Sequence, residues 1–132
     1  MIGLDTNILL RAVLDDHETQ SPQARRVLLS LGETRVGLVS LAVLLEFFWV
    51  LRSRYKLPRQ RLVDMLRKLS EVEFIRLEAS EIVGAALAAY ESGGLDFADV
   101  VIALRNRQLG AEITYTFDKG AATAVPAMEL LQ

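Results

Sequence analysis

Four carboxylates stand out as residues that could do chemistry. They are Asp5, Glu46, Asp99 and Asp118. Carboxylates gathered at one place repel one another unless a cation lies between them, and all-oxygen ligation suits a hard cation such as Mg²⁺ or Mn²⁺. A metal-bound water can become an attacking hydroxide, and the metal also neutralises charge on a phosphate. This residue type therefore favours phosphodiester hydrolysis, provided that the fold brings the four together.

The elements that must position these acids are strands and helices in alternation, which predicts an α/β domain with a mostly parallel sheet. The length of 132 residues fits one domain with one core, residues 1–132. The predicted strands cover residues 1–4, 35–39, 73–77, 113–117 and 128–131. The predicted helices cover residues 6–14, 22–32, 41–55, 58–70, 80–92 and 97–109, and Lys119-Gly120 is interpreted as a turn.

Three polar residues directly follow predicted strands: Asp5, Ser40 and Asp118. Sites in parallel α/β sheets form at the carboxyl ends of the strands, so chain direction predicts that these residues share one edge. Asp96 and Asp99 are three residues apart in the first turn of a helix and share a face. Two helices occupy the crossover that contains them, so chain direction alone does not bring them to that edge.

Glu46 lies in the helix that follows Ser40 and has only apolar neighbours in the chain: Leu44, Leu45, Phe47, Phe48 and Trp49. A carboxylate is costly to bury in an apolar helix unless it is paired or bound to a metal. This favours a functional role over a buried pair with arginine. The same run, 47–51, offers more apolar surface than one side of a helix can bury, which favours a homodimer interface.

The other acids each have a structural explanation, and taken singly that explanation is favoured. Asp5 could cap the helix that starts at Thr6, and Asp118 could belong to a turn. Asp96 and Asp99 could be acids placed at a helix N-terminus by the helix dipole.

The composition excludes several other kinds of site. There is no cysteine, so disulfides and thiolate chemistry are excluded. The single histidine, His17, lies in an acidic loop and is interpreted as a surface residue rather than a catalytic base. No apolar run approaches the ~20 residues that a membrane span needs, and no signal peptide is visible, so we expect a soluble cytoplasmic protein.

A locally basic stretch contrasts with the net charge of −2. Seven of the 15 basic residues lie between positions 52 and 68, with Asp64 as the one acid: Arg52, Arg54, Lys56, Arg59, Arg61, Arg67 and Lys68. This stretch is compatible with binding a polyanion such as RNA, for which Arg52, Arg54, Arg59 and Arg61 are the candidates. A solvated helix hairpin explains it equally well.

Four segments resemble, in order, the four motifs of PIN domains: Asp5-Thr6-Asn7, Ser40 with Glu46, Asp96 to Ala103, and Thr116-Phe117-Asp118. The order and spacing match over almost the whole chain, and the length resembles that of VapC toxins of bacterial toxin–antitoxin pairs. The resemblance implies a three-layer α/β/α fold with a five-stranded, mostly parallel sheet and Mg²⁺-dependent endoribonuclease activity, with Mn²⁺ as an alternative metal. It also implies a homodimer and inhibition by a small antitoxin encoded nearby.

The resemblance further implies roles for individual residues. Asp5, Glu46 and Asp99 would be the core acids, Asp118 would complete the site, and the metal would be bound by Asp5, Asp99 and Asp118. Asp96 matches an additional acid of many toxins. The residues that would orient the carboxylates are Asn7, Ser40 and Thr116. The chain departs from the family at Ala121, where an aromatic residue is common.

Three alternatives compete with this interpretation. A phosphatase of the haloacid dehalogenase type needs a second aspartate where this chain has Asn7. A receiver-like Mg²⁺-binding signalling module needs paired acids after the first strand, where Asp5 stands alone, and a phospho-accepting aspartate after the third, which ends at Leu77-Glu78. A PIN-domain nuclease of RNA processing, without an antitoxin, remains open.

Overall fold

One or two helices separate each strand from the next along the chain. The computed structural model describes residues 1–132, which form two units, an N-terminal unit (Met1–Glu78) and a C-terminal unit (Ala79–Gln132). All strand pairings in both units are parallel, so the predicted α/β class is confirmed.

The N-terminal unit contains three strands and four helices. They are β1 (Ile2–Gly3), α1 (Thr6–Leu14), α2 (Gln20–Leu29), β2 (Gly37–Val39), α3 (Leu41–Ser53), α4 (Arg59–Glu71) and β3 (Ile75–Leu77). The strand order is β1-β2-β3. Helix α1 packs on α2 and α3, and α4 packs on α3 and β3. The core is formed largely by α3 and α4, whose apolar faces bury Leu44, Phe47, Leu51, Leu62 and Leu66.

The C-terminal unit contains three helices and two strands. They are α5 (Ser80–Glu91), α6 (Phe97–Gln108), β4 (Thr114–Thr116), α7 (Lys119–Ala124) and β5 (Met128–Leu130). Strands β4 and β5 pair in parallel, as a βαβ unit requires, with α7 packed on both of them. Helices α5 and α6 pack on each other, with Phe97 and Ala86 fully buried.

The structure differs from the sequence-based expectations in three places. The five strands are all present, but they form a three-stranded and a two-stranded sheet. Lys119-Gly120 begins the short helix α7 rather than a turn. Helix α2 begins at Gln20, before Ser21-Pro22, because the His17 ring closes its first turn: its Nδ1 accepts from Gln20 N at 2.9 Å. His17 thus has a structural role. None of the helices is long and apolar enough to cross a membrane.

Candidate active site

The C-terminal unit contains a small acidic cavity of about 220 Å³. Three of the predicted site residues line it together: Asp96, Asp99 and Asp118. The rest of its wall is small or aliphatic and includes Gly94 and Gly120. Small side chains leave room beside the carboxylates, so the cavity can admit an ion or a polar group.

Helix starts hold these acids in place. Asp96 is the N-cap of α6, and its Oδ1 accepts from the backbone N–H of Asp99 at 3.1 Å. Asp118 is the N-cap of α7, and its Oδ1 accepts from Ala121 N at 2.9 Å. Thr116 Oγ1 in turn accepts from the backbone N–H of Asp118 at 3.0 Å. The structural explanation of Asp96 and Asp118 is therefore real, and the cap bond of Asp118 uses one of its two carboxylate oxygens.

The segment that follows Asp118 explains the departure at Ala121. The Ala121 side chain is buried, and its backbone closes the cap. A Cβ at Gly120 would lie 3.3 Å from Asp118 Oδ1, so glycine gives this carboxylate its space. Small residues at positions 120 and 121 thus allow α7 to begin immediately after Asp118.

In the N-terminal unit, three polar residues lie side by side at the carboxyl edge of the sheet. Ile2 pairs with Gly37 and Gly37 with Ile75, and extending this register aligns Asp5, Ser40 and Glu78 on neighbouring strands. This agrees with the predicted placement of Asp5 and Ser40 at one edge. Glu78 was not among the predicted site residues.

Each of the three accepts a hydrogen bond from a helix start. Asp5 Oδ1 accepts from Thr6 N at 2.8 Å, and Ser40 Oγ accepts from Val43 N at 3.3 Å. Glu78 Oε1 accepts from Leu41 N at 2.9 Å, so two residues of this edge cap α3. Beside Asp5, the Thr6 hydroxyl is buried without a hydrogen-bond partner, which is uncommon in folded proteins.

Replacing Glu78 with alanine is expected to lower the free energy of unfolding by about 0.5–2 kcal/mol, the usual cost of losing a helix cap. Glu78→Gln retains an acceptor oxygen and is expected to lose less. Urea denaturation of both variants measures the difference, with Glu73→Ala as the control because Glu73 is an exposed acid of the same unit. An alanine variant as stable as the parent would remove Glu78 from this role.

Glu46 lies on the exposed face of α3, not in the core. The exposed positions are 42, 46, 49, 52 and 53, which recur at helical spacing, whereas Phe47 and Phe48 are buried. The argument that Glu46 must be paired or metal-bound because it is buried was therefore wrong. A catalytic role for Glu46 stays a prediction that rests on the motif alone.

The other predicted residues of the N-terminal unit are Asn7 and the basic stretch 52–68. Asn7 lines a cleft of about 250 Å³ between α1 and α2, together with Arg11 and Gln20. The basic side chains of the 52–68 stretch are all exposed, on the end of α3, the connection after it, and α4. The guanidinium of Arg52 lies over the Phe48 ring, 5.6 Å from its centre.

The donor set in the acidic cavity fits a hydrated hard cation. In neither unit do three acidic side chains come close enough together to hold one metal ion among them. Mg²⁺, however, usually keeps several waters and binds proteins through one or two carboxylates. Asp99 and Asp118 on one cavity, with no nitrogen or sulfur donor on its wall, meet that requirement.

Carboxylates that follow parallel strands, with helix starts beside them, are typical of α/β proteins that bind ligands at the strand ends. The family model of the PIN domain matches residues 2–125, so this chain belongs to the PIN-domain family. Membership of this family supports a nuclease activity.

No curated protein matches the chain. Among solved structures, the chain is similar to VapC20 of Mycobacterium tuberculosis, a toxin that cleaves the sarcin–ricin loop. The two share 21% identity over 94% of this chain and 95% of that one, with a TM-score of 0.44.

Proposed function

We propose that this chain is a metal-dependent endoribonuclease that acts as the toxin of a toxin–antitoxin pair. The observation that carries the nuclease is the cavity that Asp96, Asp99 and Asp118 line together in a PIN-domain chain. The toxin role rests on the length of the chain, which resembles that of VapC toxins, and on Asp96, which matches an additional acid of many toxins. Since such a toxin acts on cellular RNA, the proposal places the protein in the cytoplasm.

The proposed ligands of Mg²⁺, or of Mn²⁺ in its place, are Asp99 and Asp118, which line one cavity of the C-terminal unit. Asp5 as a third ligand is implied by its motif alone. A metal ion held there would supply an activated water and would neutralise charge on the phosphate. Thr116 holds the backbone of Asp118, and Asp96 holds the first turn that carries Asp99.

The N-terminal unit contributes two further acids to the proposal, Glu46 on α3 and Glu78 at the sheet edge. Glu46 is exposed and therefore accessible to substrate, so we retain it in the catalytic set on the strength of its motif. Ser40 and Glu78 together cap α3, the helix on which Glu46 lies, and so fix the position of its first turn.

The direct test is cleavage of end-labelled RNA by the purified protein in MgCl₂, in MnCl₂ and in excess EDTA. We expect internal cleavage with either metal and none in EDTA. Asp118→Asn, purified in the same way, controls for contaminating nucleases because asparagine caps helices as well as aspartate does. Full activity in EDTA would contradict the metal mechanism.

The basic stretch gives a prediction about salt. If its exposed arginines contact phosphates, log K for single-stranded RNA should fall with log salt by about 0.7 per neutralised phosphate. Arg59→Ala combined with Arg61→Ala should flatten that slope by up to about 1.4. Filter binding at several salt concentrations measures this, with a double alanine variant of Arg26 and Arg76 as the control, since both are exposed and lie outside the stretch. An unchanged slope would mean that the stretch is only a solvated surface.

Two protein partners belong to the proposal: a small antitoxin and a second copy of the chain. The expected excess of apolar surface in the run 47–51 is not there, because Phe47, Phe48, Val50 and Leu51 are buried and only Trp49 is exposed. The homodimer therefore rests on the family resemblance alone. A short reading frame beside the gene whose product co-purifies with this chain would support the toxin, and its absence would favour a nuclease of RNA processing.

A further inference from the structure

Trp49 is the one aromatic residue on the exposed face of α3 and the only tryptophan of the chain. It is 56% exposed, although the neighbouring Phe48 and Val50 are buried. The Ser53 hydroxyl, one turn further along α3, donates to the backbone carbonyl of Trp49 at 2.6 Å. A large apolar ring is thus presented to solvent from a rigid helix.

A single exposed apolar residue is ordinary, but the residues along the same helix give this one a chemical context. Glu46 lies three residues before Trp49 and Arg52 three residues after it, and residues at this spacing are neighbours on a helix surface. The Arg52 guanidinium is held over the Phe48 ring, and the exposed Arg54 and Lys56 follow. The order along the helix is a carboxylate, an aromatic ring and then cations.

That order fits single-stranded nucleic acid better than a second copy of the chain. Grooves for single strands combine cations that follow the backbone with aromatic rings on which bases stack. In a two-fold dimer the patch meets a copy of itself, and because its three cations outnumber its one carboxylate, the two copies would carry the same net charge and repel each other. The positive charge beside Trp49 therefore favours a polyanion that carries flat apolar groups.

We propose that Trp49 stacks on an unpaired base of the RNA substrate. The inference rests on the proposed function and adds to it a residue of α3 that binds an unpaired base. Duplex RNA is excluded from this contact because its bases are already stacked on each other.

The test uses the fluorescence of Trp49, which reports on this position alone. The protein is titrated in EDTA, to suppress cleavage, with a short single-stranded RNA, with an abasic strand of the same length and with a duplex. We expect the base-bearing single strand to change the emission and to shield Trp49 from acrylamide. The abasic strand and the duplex should do neither.

Substitutions separate stacking from folding. Trp49→Ala should weaken binding of the single strand about 5- to 150-fold, the equivalent of ~1–3 kcal/mol per stacked base, whereas Trp49→Phe should retain most of the affinity. Leu29→Ala is the control, because Leu29 is an 85% exposed apolar residue on α2. An alanine variant of Trp49 that binds like the parent would overturn the proposal.

The remaining outcomes are also decisive. Shielding of Trp49 without RNA that is lost on dilution would show that a second copy covers the ring, and would overturn the proposal. Cleavage in Mg²⁺ without any fluorescence response would remove the stacking contact but leave the nuclease. A response to single strands without cleavage would support the stacking contact and remove the nuclease.

Discussion

Asp99→Asn is expected to reduce RNA cleavage by at least about 100-fold while leaving a folded protein that binds RNA. The loss follows because the variant removes one charge from the cavity wall, and single electrostatic groups in active sites are commonly worth ~10²–10³ in rate. The fold should survive, because the hydrogen bond that Asp99 makes to Asp96 uses the backbone N–H and not the side chain that is changed.

Single-turnover cleavage rates measure this effect, and circular dichroism checks the fold. The matched control is Asp64→Asn, which changes an exposed acid of α4 to its amide and keeps an acceptor for Gln60, whose Nε2 donates to Asp64 Oδ1 at 3.0 Å. The control should cleave like the parent. An Asp99→Asn enzyme within a fewfold of the parent would show that Asp99 is only an acid favoured by the helix dipole.

Mg²⁺ is expected to raise the melting temperature of the parent protein. A ligand that binds the folded site and not the open chain stabilises by mass action, by about 2.7 kcal/mol at 100 times its dissociation constant. The comparison is a thermal melt in MgCl₂ against EDTA, with KCl added to match ionic strength, because added salt alone screens repulsion between carboxylates.

Asp99→Asn should change both parts of that experiment. Without metal, three carboxylates around one cavity repel each other, so the variant should melt higher than the parent in EDTA. It should also gain less from Mg²⁺. A helix-dipole acid predicts the reverse, a slightly lower melting temperature in EDTA and the full Mg²⁺ shift, and that result would remove Asp99 from the metal site.

The sequence was most informative where local chemistry decides the structure. Helix starts at Thr6, Leu41 and Phe97 follow from Asp5, Ser40 and Asp96, whose side chains accept the cap bonds as predicted. A cap depends on three or four consecutive residues, so the local sequence is enough to predict it. The ends of the first two strands follow from the same helix starts, because a strand must end before the next helix begins. This also predicts the sheet edge at which Asp5 and Ser40 lie.

Non-local features were not predictable in this way. Glu78 caps a helix start 37 residues before it, a contact that no local pattern encodes. The exposure of Glu46 depends on which side of α3 faces the core. The apolar residues next to it in the chain gave no indication that Glu46 lies on the solvent side. The helical spacing of Ala42 and Ser53 marks that solvent face. Helix α7 was missed because six residues with a glycine are too short to show a helical period.

The most direct test of the central claim is metal binding itself, measured as the loss of the electron paramagnetic resonance signal of free Mn²⁺ on titration with protein. The proposal predicts that the parent and Asp64→Asn bind Mn²⁺ alike, and that both Asp99→Asn and Asp118→Asn bind it at least about tenfold more weakly, which corresponds to ~1.4 kcal/mol. Both amide variants must remain folded by circular dichroism. Mn²⁺ binding that is the same in all four proteins would contradict a metal site built on these acids.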